Sequence, residues 1–238
     1  MPVPSSPDPQ GPTAAVSDAP TTVWPAPPPA PGGLAPGWLR AAVERLVVAH
    51  TRPGDPVLLL TPPPPDAQAA PAAVRAVTAA QQLTATSWTV ARLGRTVRVQ
   101  TAPGPPFAGP GSSNIATGLE PDPARCPLVI TVVPVVPPAR LAWTAHIPWS
   151  RLVAPCGLLA VITHTDSHAG WLIDPTSDLA RAAGRHGLAL HDRYVLIEGP
   201  LDTLVGPPAP SGRGTTARRV HSDLLLFSPV PASPQGRQ

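Results

Sequence analysis

Lysine is absent. All 17 basic side chains are arginine, set against 14 carboxylates. The net charge of +3 and the pI near 9.6 therefore record arginine standing everywhere for lysine, which raises the pI without building a patch. A nucleic-acid partner is permitted by this balance and not demanded by it. Charge is scarce at 13%. Alanine, proline, glycine and arginine dominate, a coding bias that warns against a functional reading of every proline. Two cysteines, Cys126 and Cys156, are too few for a disulfide scaffold. No stretch is long and apolar enough to span a membrane, because the richest run, PLVITVVPVVPP, is short and broken by proline. Residues 1–36 lack a charged start followed by an apolar core, so no leader is expected there. There are no internal repeats and no GxSxG elbow, which argues against a hydrolase triad. A soluble, cytoplasmic protein is the expectation.

What is present in excess is proline, 39 residues in a chain of 238. That is too much for a uniform globular domain, so part of the chain is expected to be extended or disordered. Residues 1–36 read as a disordered Pro-rich tail, with Trp24 as its exception, and 230–238 read as a second tail. Between them, 37–229 read as one domain. GWLRAAVERLVVAH (37–50) places Leu39, Val43, Leu46 and Val47 on one helical face. RPGD is a turn, and PVLLL (56–60) is apolar on both faces, as a central parallel strand is. A helix is expected to begin near Asp66, with Pro71 tolerable only in its first turn.

RTVRVQ (95–100) is the next strand, 101–127 a loop, and PLVITVV (127–133) and GLLAVITH (157–164) two more strands. Between those two, a helix interrupted near Pro148 is expected. DPTSDLARAAGRHG (174–187) has an acidic start, internal alanines and Gly187 just past its end, so it reads as a helix. LALHDRYVLIEG and RRVHSDLLLFSP then predict a long hairpin. Alternating strands and helices predict a parallel α/β sheet.

Segment by segment, this order resembles the bacterial amino-methylating (N4/N6) DNA methylases of the class I S-adenosylmethionine-dependent methyltransferase fold. HTRPGDPVLLL resembles the lead into the cofactor motif TxPGDxVLDPFxGSGT, and PLVITVVPV the catalytic DLVITSPPY. LVAPCGLLAVIT resembles LLRPGGLLVV, VHSDLLLF resembles a closing HEDLLVF, and TTVW is similar to an N-terminal element. The resemblance spans residues 21–228. It implies a Rossmann-like sheet, mostly parallel, with a C-terminal antiparallel hairpin and one strand missing from 101–127.

The departures from that pattern are as informative. The acid that ends the first strand in active members falls at Leu59, and the bare glycines fall within Pro62–Pro65, with Thr61 and Pro63 among the vestigial cofactor positions. Proline fixes φ and removes an amide donor, so the loop has few N–H groups to offer a ligand. The ribose-binding acid falls at Gln100 or Thr101, and a neutral amide bonds hydroxyls more weakly than a carboxylate does. The catalytic [DNS]-P-P-[YFW] reads Val132-Val133-Pro134-Val135, without the polar acceptor or the base-stacking ring.

The resemblance thus implies a methyltransferase-like protein that does not methylate and acts by binding. No cofactor is expected; S-adenosylmethionine would be the cofactor if the chain were active. DNA, or an active methylase or restriction-type partner, is the implied target. An active enzyme with divergent motifs and a protein–protein module whose proline segments are ligands are the alternatives.

Other constellations carry less. His164, Asp166 and His168 in HTDSH suit a metal or proton transfer by type, but the chain offers no third or fourth partner, so a polar loop is expected. Cys126 and Cys156 fall before neighbouring strands, away from the ligand edge, as buried thiols. The arginines of SGRGTTARR (211–219) read as a solvated loop able to touch phosphate. Trp143 and Trp149 read as core, and His221 and Asp223 as holding the last strand.

Overall fold

The computed structural model describes residues 22–27, 35–64, 70–104, 125–134, 141–168, 171–199 and 220–231. After a short strand β1 (Thr22–Trp24) comes helix α1 (Gly37–His50), which buries Leu39, Ala42, Val43, Leu46 and Val47. That spacing is the stripe a core-facing helix needs. The helix stops at Thr51, whose backbone is extended and whose hydroxyl donates to Val47 O at 2.6 Å. RPGD then turns the chain. Asp55 Oδ2 accepts from the Arg52 amide at 2.7 Å, and Gly54 takes φ +89°, a conformation open to glycine and strained for other residues. Arg95 braces the same corner, with Nε 3.0 Å from the Thr51 hydroxyl and Nη2 2.8 Å from its carbonyl.

β2 (Pro56–Thr61) is buried along almost its whole length. α2 (Ala70–Ala85) follows with Pro71 in its first turn, where no amide is missed; its expected start near Asp66 lies outside the described residues. α3 (Ser87–Arg92), which follows directly, has no separate signal in the sequence pattern. β3 (Thr96–Thr101), β4 (Cys126–Val132) and β5 (Val153–Thr163) come next. Between β4 and β5 stand a 3₁₀ turn (Ala142–His146) and the short α4 (Trp149–Leu152), interrupted at Pro148 as expected. Residues 105–124, where a strand was expected to be missing, lie outside the described residues, as does the arginine loop.

Beyond β5 the structure corrects the sequence reading. The HTDSH segment is a strand, β6 (Asp166–His168), paired antiparallel with β7 (Trp171–Ile173), and not a polar loop. α5 (Thr176–Gly184), β8 (Leu188–Ile197) and β9 (His221–Pro229) complete the chain, with Gly187 at φ +72° in the turn before β8.

The main sheet has seven strands in the order β1-β8-β9-β5-β4-β2-β3. All run the same way except β9, which is antiparallel to both β5 and β8. This is a Rossmann-like sheet, mostly parallel, with the expected C-terminal antiparallel hairpin. β1 stands inside what the sequence suggested was a tail: Thr22–Trp24 pair with Tyr194–Leu196 of β8.

Both faces are covered. α1, α2 and α3 pack over Val57, Leu59, Leu128, Ile130, Ile162 and Leu224. The 3₁₀ turn, α4 and α5 pack over Leu58, Leu60, Val129, Val161, Leu225 and Phe227. Trp143 and Trp149 belong to this second core, and the Trp149 indole donates to Thr144 O at 2.8 Å.

Cys126 is buried, as expected. Cys156 is not: it lies exposed in the bulged stretch of β5 opposite Cys126–Leu128, and the two thiols form no disulfide. Next to Cys156, Gly157 lies so close to the backbone of Cys126 and Pro127 that a Cβ there would have no room.

Candidate functional site

In an open α/β sheet, ligands bind outside the carboxyl ends of the strands where the winding reverses. Here the chain leaves β2 for β3 on one side and reaches β4 on the other, so the reversal lies between β2 and β4. The residues singled out in the sequence fall into three separate places around that point.

The first place is the end of β2. The Thr61 hydroxyl lies 3.2 Å from the Gln100 carbonyl and 3.1 Å from the Thr101 hydroxyl, and Thr61 O accepts from the Ala102 amide at 2.8 Å. The two strand ends are tied to each other through the Thr61 and Thr101 hydroxyls and main-chain groups of Thr61, Gln100 and Ala102. Beyond them Pro62 is buried, Pro63 half-buried and Pro64 exposed, and none has an amide proton. Gln100 is half-buried on β3.

The second place is the core. Leu59 is fully buried under α1 and α2 and does not line the cleft described below. Val133 is buried on the opposite face; its amide donates to Ile162 O at 2.8 Å and its carbonyl accepts from the Thr163 hydroxyl at 3.0 Å.

The third place is a cleft of about 170 Å³. Trp38 and Leu39 of α1 and Val74, Thr78, Ala79 and Gln82 of α2 form one wall. Val132, Pro134, Ile162 and Thr163 form the other, with His164 and Ser222 at the side. Val132 and Pro134 of the altered catalytic segment, together with His164, thus share one space; Val135 lies outside the described residues. Ser222 donates to Glu198 at 2.6 Å. Trp38, Thr78 and Gln82 were not singled out in the sequence. The sole hint was Trp38 at the first turn of an amphipathic helix, one residue ahead of its apolar stripe.

The lining is aliphatic and aromatic, with neutral hydroxyl, amide and imidazole groups and no carboxylate. Sites for drug-sized ligands enclose about 300–1,000 Å³, so this cleft is sized for a fragment or a side chain. Among the described residues no cluster of three or more His, Cys, Asp or Glu could hold a metal ion.

The groups with displaced pKa values lie away from the cleft. A hydrogen bond to Asp192, then burial and the Asp192 charge, push the Tyr194 phenol up to about 12. Burial and the nearby His191 hold His50 below the usual imidazole value. Arg193, Asp223 and Asp174 form an ionic cluster on the α5 face: Arg193 Nη2 is 3.0 Å from Asp223 Oδ1 and 3.9 Å from Asp174 Oδ2. Asp223 thus secures the last strand, as its place in the sequence suggested.

No protein-family model matches the chain, and no curated protein matches it. Solved structures do. A candidate methyltransferase from Thermoplasma acidophilum is 8% identical over 78% of this chain and 74% of its own, at a TM-score of 0.36. A variant of the 16S rRNA (adenine(1408)-N(1))-methyltransferase from Catenulisporales acidiphilia is 14% identical over 79% and 92%, at 0.35. The M1.HpyAVI–SAM complex is 16% identical over 46% and 50%, at 0.24. Superposition this loose carries no argument of its own. The fold rests on the strand order, with its single reversed strand β9.

Proposed function

We propose that this chain is a DNA methyltransferase-like protein that has kept the sheet and lost the chemistry, and that it acts by binding. The observation that carries the reading is the β2–β3 edge. The Thr61 hydroxyl is spent on the Thr101 hydroxyl and the Gln100 main-chain carbonyl, and four prolines, Pro62–Pro65, follow where amides and bare glycines would meet a sulfonium cofactor. Val132 and Pro134 add no acceptor and no ring for an amino group to be held against. The inferred target is DNA or an active methylase or restriction-type partner. A cytoplasmic setting, with no cofactor, belongs to the same reading. No described helix is long and apolar enough to cross a membrane.

A thermal melt in S-adenosylmethionine tests it. A cofactor bound with a 10 μM Kd, present at a hundred times that concentration, adds about 2.7 kcal/mol and raises Tm by roughly 5–10 °C for a chain this size. The expected shift is nil. A clear shift together with methyl transfer to duplex DNA overturns the proposal and restores the enzyme reading. On the binding side, the partner is sought by co-purification from the native host and by a gel shift on DNA.

A further inference from the structure

The far edge of the sheet holds a strand slot unrelated to the cleft. β1 lies parallel to β8 with Thr22 opposite Tyr194, Val23 opposite Val195 and Trp24 opposite Leu196. Upstream of Tyr194 the slot is closed. The register of β8 against β9 breaks between Leu190 and Asp192, which bends β8 there, and the Arg193 amide is taken by the Asp192 carboxylate at 2.8 Å. Bulges and charges of this kind blunt sheet edges against further pairing. What remains of β8 is Tyr194–Ile197, and β1 pairs with its first three residues.

One side chain anchors the strand. The Trp24 ring sits 4.7 Å from the Tyr194 ring at 45°, and the Arg45 guanidinium of α1 lies 5.3 Å from the Trp24 centroid. The Tyr194 hydroxyl is itself bonded to Asp192, which fixes the ring that receives the indole. Tryptophan is the best ring for a cation at this distance and a good partner for a tilted aromatic. Thr22 and Val23 are exposed and add little packing. The sequence from Trp24 back to α1 carries proline at 25, 27, 28, 29, 31 and 36, none of which can donate to lengthen the ladder. A strand this short, held by one anchor at a sheet edge, belongs to the least stable part of a fold.

We propose that β1 is an exchangeable strand. The β8 slot accepts in trans an extended protein segment of the Thr-Val-Trp-Pro type, and residues 22–25 are its built-in competitor. The partner chemistry is set by the slot: a short parallel strand gives backbone bonds, and a tryptophan at its third position fills the Tyr194–Arg45 socket. This surface is distinct from the cleft, so the inference stands whether or not the chain methylates.

The test uses the full-length ¹⁵N-labelled chain as Trp24→Ala, titrated with a synthetic peptide copying residues 19–27. The expected result is saturable movement of the Tyr194, Val195 and Leu196 amides. Wild type should need at least ten times more peptide, because its tethered strand competes at millimolar effective concentration. A peptide with alanine for tryptophan should not saturate the slot. Should Trp24→Ala fail to fold, Val23→Pro, at an exposed position, opens the same slot with the socket intact. The proposal is overturned if the opened chain shows no movement at Tyr194–Leu196, if wild type responds at the same peptide concentration, or if the alanine peptide binds equally.

Discussion

Arg193 on β8 holds Asp223 on β9 by a single carboxylate oxygen. Nε at 3.2 Å and Nη2 at 3.0 Å both reach Oδ1, while Oδ2 is buried with no hydrogen-bond partner among the described residues. The carboxylate is almost wholly buried and its arginine is a third exposed. The cost of burying that charge is offset from one side only.

Removing the arginine alone should therefore be worse than removing both partners. Arg193→Leu is expected to lose about 3 kcal/mol, the low end for a broken buried pair because water reaches the guanidinium. Arg193→Leu combined with Asp223→Leu should recover most of that loss. Urea unfolding of the two variants makes the comparison. A double variant no more stable than the single one would mean that the charge at Asp223 is not the burden described.

Tyr194 is the chain's single tyrosine, so phenolate absorbance reads one group. Its midpoint is expected at about 12 in place of 10.0, and Asp192→Asn should bring it back toward 10. A raised phenol pKa means that the folded state holds the proton more tightly. The associated stability is full below pH 10 and is lost as pH rises from 10 toward 12. Far-UV circular dichroism identifies the pH range in which the chain remains folded. A midpoint at 10 in the folded chain would contradict the Asp192 contact.

Two glycines should respond in opposite directions. A Cβ on Gly157 would lie 2.8 Å from the Pro127 carbonyl oxygen and 3.0 Å from that of Cys126. Backbone atoms cannot step aside cheaply, so Gly157→Ala is expected to cost about 1–3 kcal/mol, as overpacking does. Gly184, at the end of α5, has nothing within 4 Å of the same position and no positive φ. Gly184→Ala should stabilise by about 0.4–1 kcal/mol through the unfolded state. Melting curves of both variants decide the point.

Restoring the acid that the family resemblance places at Leu59 should not restore a cofactor site. Leu59 is fully buried beneath α1 and α2, and an unpaired carboxylate there is expected to cost more than about 4 kcal/mol. Leu59→Asp should unfold the domain. A folded variant with new affinity for S-adenosylmethionine would show that this side chain can reach the crevice.

Leu59 also marks where reading the sequence stopped short. β2 was legible as a doubly covered strand because it is apolar on both faces. That same property erases the alternation that would tell which residue faces which layer. α1 was legible in full, since its stripe of Leu39, Val43, Leu46 and Val47 is a local signal. The β8–β9 hairpin was legible from its two apolar runs. β6 and β7 were not, because Asp166-Ser167-His168 is polar throughout and pairs over only three residues. β1 was hidden for a different reason: its strand character comes from Tyr194 and Arg45, which no local pattern reveals. At the site, the altered segments were legible as departures. The cleft was not, because Trp38, Gln82 and Ser222 meet only once the sheet has formed.

Thr22 finds its register against Tyr194, a residue made only after five of the sheet's seven strands. At 5–20 residues per second the interval is on the order of ten seconds or more. Throughout that time the amino-terminal segment has no edge to join, and a chaperone or neighbouring nascent chain meets Trp24 uncovered. The sheet is therefore closed at this margin late, by the strand that precedes all its other described strands in the chain.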